Sequence, residues 1–525
     1  MLLFLCAYPE NNRVQQLSHR ELNQFHKRIE PVAESQTEDE SDALLNSGLV
    51  DTEVSHLFSY DLVRILRGWY GHNLELDWSE SDEDDSGAIS AFLPLLISFQ
   101  ENDTLDNAAD LTTQEWLKRA RGPGMKTDLE ALLTLLERSG LPPEVQRHLY
   151  DNASVVARWK LGRSQASRTR ARVSQSRTFY QTEPILPRTP DLRREILSKP
   201  AALELLSAKE GAKYVRVINE ALAVRYRELY PITGANASEV YRAEPGRGVQ
   251  IFLFGAKPEF RLPLEANFGA MLVRNGTIVG YGVGACLFER VEIAINVFPA
   301  FRTGESSFVI EQFFKLFHHY FGSTVLLVRS RQVGDGDDEP IQSGAFWFYY
   351  KLGFRPVKPA IRALAEKEAA YLATHPGYHS AAPRLKRLSK SDVFLDLHNA
   401  AARSYRELSL VHLGFAVTDL IGQKFGGDRR IAEAVTVERV SKWLGLRSEI
   451  GWNDSERKAL RRMAPLLAAG PEISHWSKAE KAALVQLIRA KGAAQERKFV
   501  NASIAHPKFK KLLERIAAKA TQRGG

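Results

Sequence analysis

Apolar residues recur at helical spacing toward both ends of the chain. In TDLEALLTLLERSG, Leu129, Leu132, Leu133 and Leu136 share one face, Thr127 and Glu130 have capping-box spacing, and Gly140 can close the helix. SKAEKAALVQLIRAKG repeats the design with Ser477 and Glu480, a stripe of Leu484, Leu487 and Ile488, and Gly492 at its end. Residues 1 to about 155 therefore read as helices joined by polar loops, and Glu34 to Asp42, acidic and poor in large apolar residues, as one such loop. Residues 361–525 read as helix again, LSKSDVFLDLHNAAARSYREL included.

From about residue 206 the pattern changes to helix, strands, helix, strand, helix, strand. Tyr214 to Tyr230 predicts an amphipathic helix, and VQIFLFG a strand from Val249. FGAMLVRNGTIVGYGVGACLF predicts two strands joined at Asn275-Gly276, a strong hairpin signal. VEIAINVFP is a further strand, ended by Pro299. A helix over 305–321 closes at Gly322, and TVLLVRS is a strand from Thr324. The polar loop GDGDDEP leads to a helix over 343–352, with Ser343 as N-cap and Gly353 beyond its end, and then to a short strand, FRPVK. The fold class this implies is α+β: a mixed, largely antiparallel sheet with helices, flanked by mainly helical regions. The expected organisation is 1–157 helical, 158–205 a basic, proline-containing linker, 206–358 the α+β domain and 359–525 helical.

Composition narrows the class. Hydrophobic residues make up 44% and charged residues 26%, so the chain can bury a core. Cys6 and Cys286 are the only cysteines, which argues against a disulfide scaffold and a thiolate zinc site and for a reducing cytoplasm. MLLFLCAYPE has no basic stretch before its apolar run and reads as a buried strand or first helix turn rather than a signal peptide. The longest apolar run, Ala88 to Phe99, is broken by Ser90, Pro94 and Ser98 and falls short of the roughly 20 residues a membrane helix needs. A soluble protein without a membrane partner is expected.

The net charge of +8 favours anionic partners. It concentrates in Arg158 to Lys199, where eleven Lys/Arg stand against three Asp/Glu, while acidic stretches lie around Glu34 to Asp42 and Glu75 to Asp85. The basic strip has two readings. It can bind an anionic partner such as nucleic acid, or it can be a solvated segment that pairs with the acidic N-terminal stretches.

Candidate chemistry centres on INVFPAFRTGESSFVIEQFFKLF. A strand entering a helix through a short turn presents unpaired N–H groups and the positive end of a helix dipole, a ready seat for a pyrophosphate. VFPAFRTGES resembles the acetyl-coenzyme-A-binding motif of the GNAT superfamily of N-acetyltransferases. Downstream, AFWFYYKLGFRPV resembles that family's second motif through Ala345, Tyr349, Gly353 and Phe354. The resemblance spans residues 206–358, and TVLLVRS lies between the two motifs.

The resemblance implies acetyl transfer from acetyl-coenzyme A to a small-molecule or peptide amine, with no metal. Arg302, Thr303, Gly304, Ser306 and Ser307 would hold the diphosphate. The pantetheine arm would lie between strands 291–298 and 324–330, with Asn296 and Val297 as main-chain partners. Tyr349 would be the acid that protonates the departing thiolate. On the strand itself, Glu292, Ala294, Asn296 and Phe298 share a face, and a carboxylate among small and apolar neighbours is a candidate base with a raised pKa, Glu289 standing behind it. Arg329 and Arg331 could hold an acidic acceptor or could simply be surface residues.

The turn is shorter than the family's usual glycine-rich run and contains Glu305. A carboxylate about 4 Å from a phosphate costs roughly 4 kcal/mol at an effective dielectric of about 20. Its gain from the helix dipole is only about 0.3–1 kcal/mol. A working site is therefore expected to point Glu305 to solvent. Two other functions stand beside the enzyme: a non-catalytic module of this fold in a larger scaffold, and a nucleic-acid-associated protein using the basic strip. Other signals are discounted. His318 and His319 are adjacent rather than one turn apart, and GYGVGA lies within a strand, where glycines permit close packing. Cys286 sits in an apolar strand.

Overall fold

The computed structural model describes residues 1–33, 44–80, 83–107, 111–398, 405, 407–446 and 448–521; the acidic stretch Glu34 to Asp42 lies outside them. The chain divides into two units. The first comprises 1–182, 213–233 and 275–278, and the second 183–212, 234–274 and 279–525.

The first unit begins with a helix, Leu2–Ala7. The helix Asp128–Arg138 has the capping box of Thr127 and Glu130, and Leu129, Leu132, Leu133 and Leu136 are fully buried. Helices alone do not build this unit. Three short strands, β1 (Glu53–His56), β2 (Leu74–Leu76) and β3 (Ala157–Lys160), form an antiparallel sheet with β3 in the centre. On β3, Ala157 and Trp159 point inward, while Arg158 and Lys160 point outward. Strands of three or four residues carry too little alternation to be read from sequence.

Residues 158–182 are not a linker. Ala166, Ser167, Thr169, Ala171 and Val173 are buried. Six of the seven basic residues of this part are engaged. Arg158 donates to Asp77 through Nε at 3.0 Å, Lys160 pairs with Glu75 at 3.0 Å, and Arg163 lies 3.7 Å from Asp51. Arg168, Arg170 and Arg172 donate to the carbonyls of Val224, Arg163 and Ala171. Arg158 and Lys160 thus pair with the acidic stretch Glu75 to Asp85, while Arg168, Arg170 and Arg172 meet carbonyls instead.

The second unit is built on nine strands: β4 (Leu203–Leu205), β5 (Ala235–Gly246), β6 (Val249–Ala256), β7 (Ala266–Arg274), β8 (Thr277–Leu287), β9 (Arg290–Val297), β10 (Val325–Val328), β11 (Arg355–Pro356) and β12 (Val393–Asp396). Their spatial order is β11-β12-β10-β9-β8-β7-β6-β5-β4. Only β9 and β10 run parallel; the other neighbours are antiparallel. Asn275 and Gly276 both take positive φ, 45° and 70°, the two-residue turn their sequence demands.

Two expectations fail here. The span 206–358 does not bound the sheet, because β4 and β12 lie outside it. SDVFLDL is strand rather than helix: Val393 and Phe394 pair with both β10 and β11 and Leu395 with β10, and a central strand covered on both faces needs an unbroken apolar run.

Helix α1 (Ser306–Phe321) lies on one face of the sheet and ends at Gly322 in the left-handed region, as expected. It approaches closely because β8 carries glycines where its rings land. A Cβ on Gly284 would lie 2.3 Å from Phe317, and one on Gly282 3.3 Å from Phe313. GYGVGA is thus a packing surface. Part of the polar loop GDGDDEP is helical: α2 (Asp338–Gln342) is capped by Asp337, which accepts from the Glu339 N–H. Ser343 ends α2, and Gly344 rather than Ser343 caps α3 (Ala345–Lys351). Toward the C terminus, α4 (Lys478–Gly492) has the expected capping box and is followed by α5 (Arg497–Ile504). Among the described residues no helix is long and apolar enough to cross a membrane.

Candidate functional site

The parallel pairing of β9 with β10 covers only Arg290 to Glu292 against Val325 to Leu327. The pairing stops at Glu292, one residue before β10 ends at Val328, so Ile293 to Val297 of β9 have no strand partner on that edge among the described residues. Which main-chain groups face it follows from the other edge. The Phe298 N–H donates to the Val279 carbonyl at 2.9 Å, and the β8–β9 register pairs Tyr281 with Asn296 and Val283 with Ala294. Antiparallel strands bond at alternate pairs, so Asn296 and Ala294 also spend their main-chain groups on β8. Ile293, Ile295 and Val297 turn theirs to the open edge. This corrects the expectation for Asn296. Its side-chain amide donates to the Tyr281 hydroxyl at 3.2 Å and accepts from Arg302 at 3.4 Å. Val297 keeps an outward N–H, but its carbonyl accepts from Arg302 Nε at 3.0 Å.

The turn after β9 leads directly into α1. The N–H groups of Ser306, Ser307 and Phe308 have no partner among the described residues, and the first helical bond runs from Val309 to the Glu305 carbonyl at 3.2 Å. Thr303 is exposed and its N–H is likewise unpartnered among the described residues. Gly304 differs: its N–H is consumed by the Phe301 carbonyl at 3.0 Å. The Ser306 hydroxyl donates to the Arg302 carbonyl at 3.3 Å. Arg302 itself folds back along β9 and pairs with Glu339 at 3.0 Å on the surface.

Glu305 does not point to solvent. Its carboxylate is wholly enclosed and accepts from Arg274 at 2.7 Å, from Arg247 Nε at 2.8 Å and from the Leu186 N–H at 3.1 Å. Arg274 ends β7 and is itself fully buried. Arg247 lies between Gly246 and Gly248 in the β5–β6 turn, and all three have positive φ. Burial alone would raise the Glu305 pKa, but the Arg247 hydrogen bond, the Arg274 charge and hydrogen bond, and the Leu186 N–H outweigh it and hold the carboxyl at about 2. The charge expected to repel a phosphate is turned inward and neutralised. A single arginine ending the apolar run AMLVR was the available signal that a buried carboxylate would be needed.

Glu292 is not a free carboxylate. Arg329 Nε donates to it at 2.7 Å, and the same guanidinium reaches Asp392 at 3.0 Å and Glu407 at 2.8 Å. Arg290 also donates to Glu407, at 2.7 Å. Glu289, the fallback, pairs with Lys510. The β9 glutamates thus serve ion pairs, and Arg329 is occupied rather than waiting for an acidic acceptor. Burial lowers the Arg329 pKa, but its hydrogen bonds to Glu407 and Glu292 and their charges outweigh that and raise it.

Tyr349 is buried on α3 with its ring edge toward Phe354, 5.4 Å away, and Phe354 in turn meets Phe314 of α1 at 5.9 Å. The phenol therefore sits on the α1 side of the sheet. Its hydroxyl has no hydrogen-bond partner among the described residues, and burial pushes its pKa above the ordinary phenol value, so it keeps its proton at neutral pH. On the opposite face, Tyr281, Val283 and Ala285 of β8 and Glu292, Ala294 and Asn296 of β9 are all half-exposed. Comparison of the chain with protein-family models, with curated proteins and with solved structures finds no match in any of the three.

Proposed function

We propose that the second unit is an acyl-coenzyme-A-dependent N-acyltransferase of the GNAT type, moving an acetyl group from acetyl-coenzyme A to an amine. One observation carries the reading: β9 outruns its one parallel neighbour beyond Glu292 and leads through a short turn into a helix whose first three N–H groups have no partner among the described residues. The unpaired edge suits an extended arm that adds to a strand, with Ile293, Ile295 and Val297 offering main-chain partners. The N–H groups of Ser306, Ser307 and Phe308 suit its diphosphate. The inward turn of Glu305 removes the repulsion that would have opposed an anion there.

The thioester supplies an activated acyl carbonyl. The chain's part is to align an amine with it and to protonate the leaving sulfur. Tyr349 is the candidate acid, since its unpartnered phenol keeps its proton at neutral pH. With Glu292 held by Arg329, the amine's proton passes to water rather than to that carboxylate. Calorimetry of the full chain with acetyl-coenzyme A tests the reading. Binding that Gly304→Trp abolishes, with free thiol released over a panel of amines, is the expected result; no heat of binding rejects it. The engagement of Glu292 favours one alternative, a module that binds the cosubstrate without transfer. Binding without thiol release across the panel would select it.

A further inference from the structure

The segment EPILPRTP, residues 183–190, has prolines at 184, 187 and 190. Proline holds φ near −65°, and the residue before each proline is confined to extended backbone. Six of these eight positions, Glu183, Pro184, Leu186, Pro187, Thr189 and Pro190, are therefore constrained toward polyproline II, the left-handed helix of about three residues per turn. The segment contains neither helix nor strand.

The contacts keep the same period. The N–H groups of Leu186 and Thr189, three residues apart, donate to Glu305 at 3.1 Å and Glu311 at 3.4 Å, both from α1 or its cap. Two main-chain donors one such period apart are thus fastened to the fold. The side chains face outward: Pro184 to Arg188 and Pro190 are all exposed, Ile185 by 42% and Leu186 by 37%, while Thr189 is half-buried. Arg188 donates no hydrogen bond and joins no close ion pair among the described residues, although its charge is felt by the Glu311 carboxyl.

We infer that residues 184–190 are a preformed ligand for a protein domain that reads polyproline II in an aromatic-lined groove with carboxylates at its rim. A ridge of prolines fits between aromatic rings, and its backbone order is supplied in advance by α1 rather than lost on binding. Arg188, on the exposed side, supplies the charge that an acidic rim would select.

The test uses the full chain and, as probe, an isotope-labelled SH3 domain whose proline groove is flanked by carboxylates. Addition of the chain should shift the probe's groove resonances saturably. Replacing Pro184, Pro187 and Pro190 together by alanine, and separately Arg188→Glu, should each weaken binding roughly tenfold or more. Because these side chains are exposed, the melting temperature should hold. If the wild-type chain leaves the groove resonances unmoved, or either variant binds as tightly as the wild type, the inference is overturned. Should the triple variant fold poorly, the Arg188 variant decides alone.

Discussion

Replacing Glu305 by glutamine keeps the shape of the side chain and removes the charge to which both Arg274 and Arg247 donate. The cost can be worked from the structure. The carboxyl is held at about 2 against an ordinary value of 4.5. At about 1.4 kcal/mol per pK unit, the difference is worth roughly 3 kcal/mol at neutral pH. Breaking a buried ion pair on one side typically costs about 3–5 kcal/mol, the same order. The sign follows from the direction of the shift. A depressed carboxylate stabilises the fold fully above pH 4.5 and loses that contribution as pH falls through about 2. The wild type should therefore lose protection across this window, and Glu305→Gln should lack that acid-dependent loss. Amide hydrogen exchange at β6, β7 and the first turns of α1 reads the opening free energy where it matters. A variant whose opening free energy at pH 7 falls by less than about 1 kcal/mol, or which keeps the wild-type acid profile, would refute the triad's role.

Three further outcomes are expected. Gly284→Ala places a methyl 2.3 Å from the buried Phe317 ring and should destabilise the unit by about 1–3 kcal/mol, whereas Gly282→Ala, at 3.3 Å from Phe313, should cost less; denaturant midpoints would show it, with Phe317→Leu recovering part of the loss only in the Gly284 variant. Tyr349→Phe removes a hydroxyl that makes no hydrogen bond among the described residues, so the melting temperature should change little, while under the proposed chemistry kcat falls roughly a hundredfold. Glu239, wholly buried and accepting from the N–H groups of Glu496 at 2.7 Å and Arg497 at 3.0 Å, is raised by burial to about 7 despite those bonds. Its contribution is fully present below pH 4.5 and lost as pH rises through about 7, so α5 amides should be better protected at pH 5 than at pH 8, in contrast to a flat profile for Glu239→Leu.

What the sequence disclosed and what it withheld divide along the range of the interactions. Asn275-Gly276, Gly322 and the box of Ser477 and Glu480 act over a few residues, and each stands where local chemistry puts it. β12 was missed because Val393 to Leu395 is apolar without a period, and only its pairing with β10 and β11 makes it a strand. The candidate site shows the same division more sharply. That a turn before α1 would expose N–H groups was legible from residues 299–307, but which residue supplied each group was not. Gly304 lost its N–H to a local turn, and Asn296 faces β8 because the register fixes the parity of every residue on β9. Glu305 is the clearest instance. Read along the chain it is an acid facing a phosphate seat, with a repulsion of roughly 4 kcal/mol to escape. Its escape is not outward to water but inward, because two hairpins bring Arg247 and Arg274 to it. The residue that looked like the strongest objection to an anion at this turn thus becomes the one that anchors the turn, and the sequence alone could not distinguish the two roles.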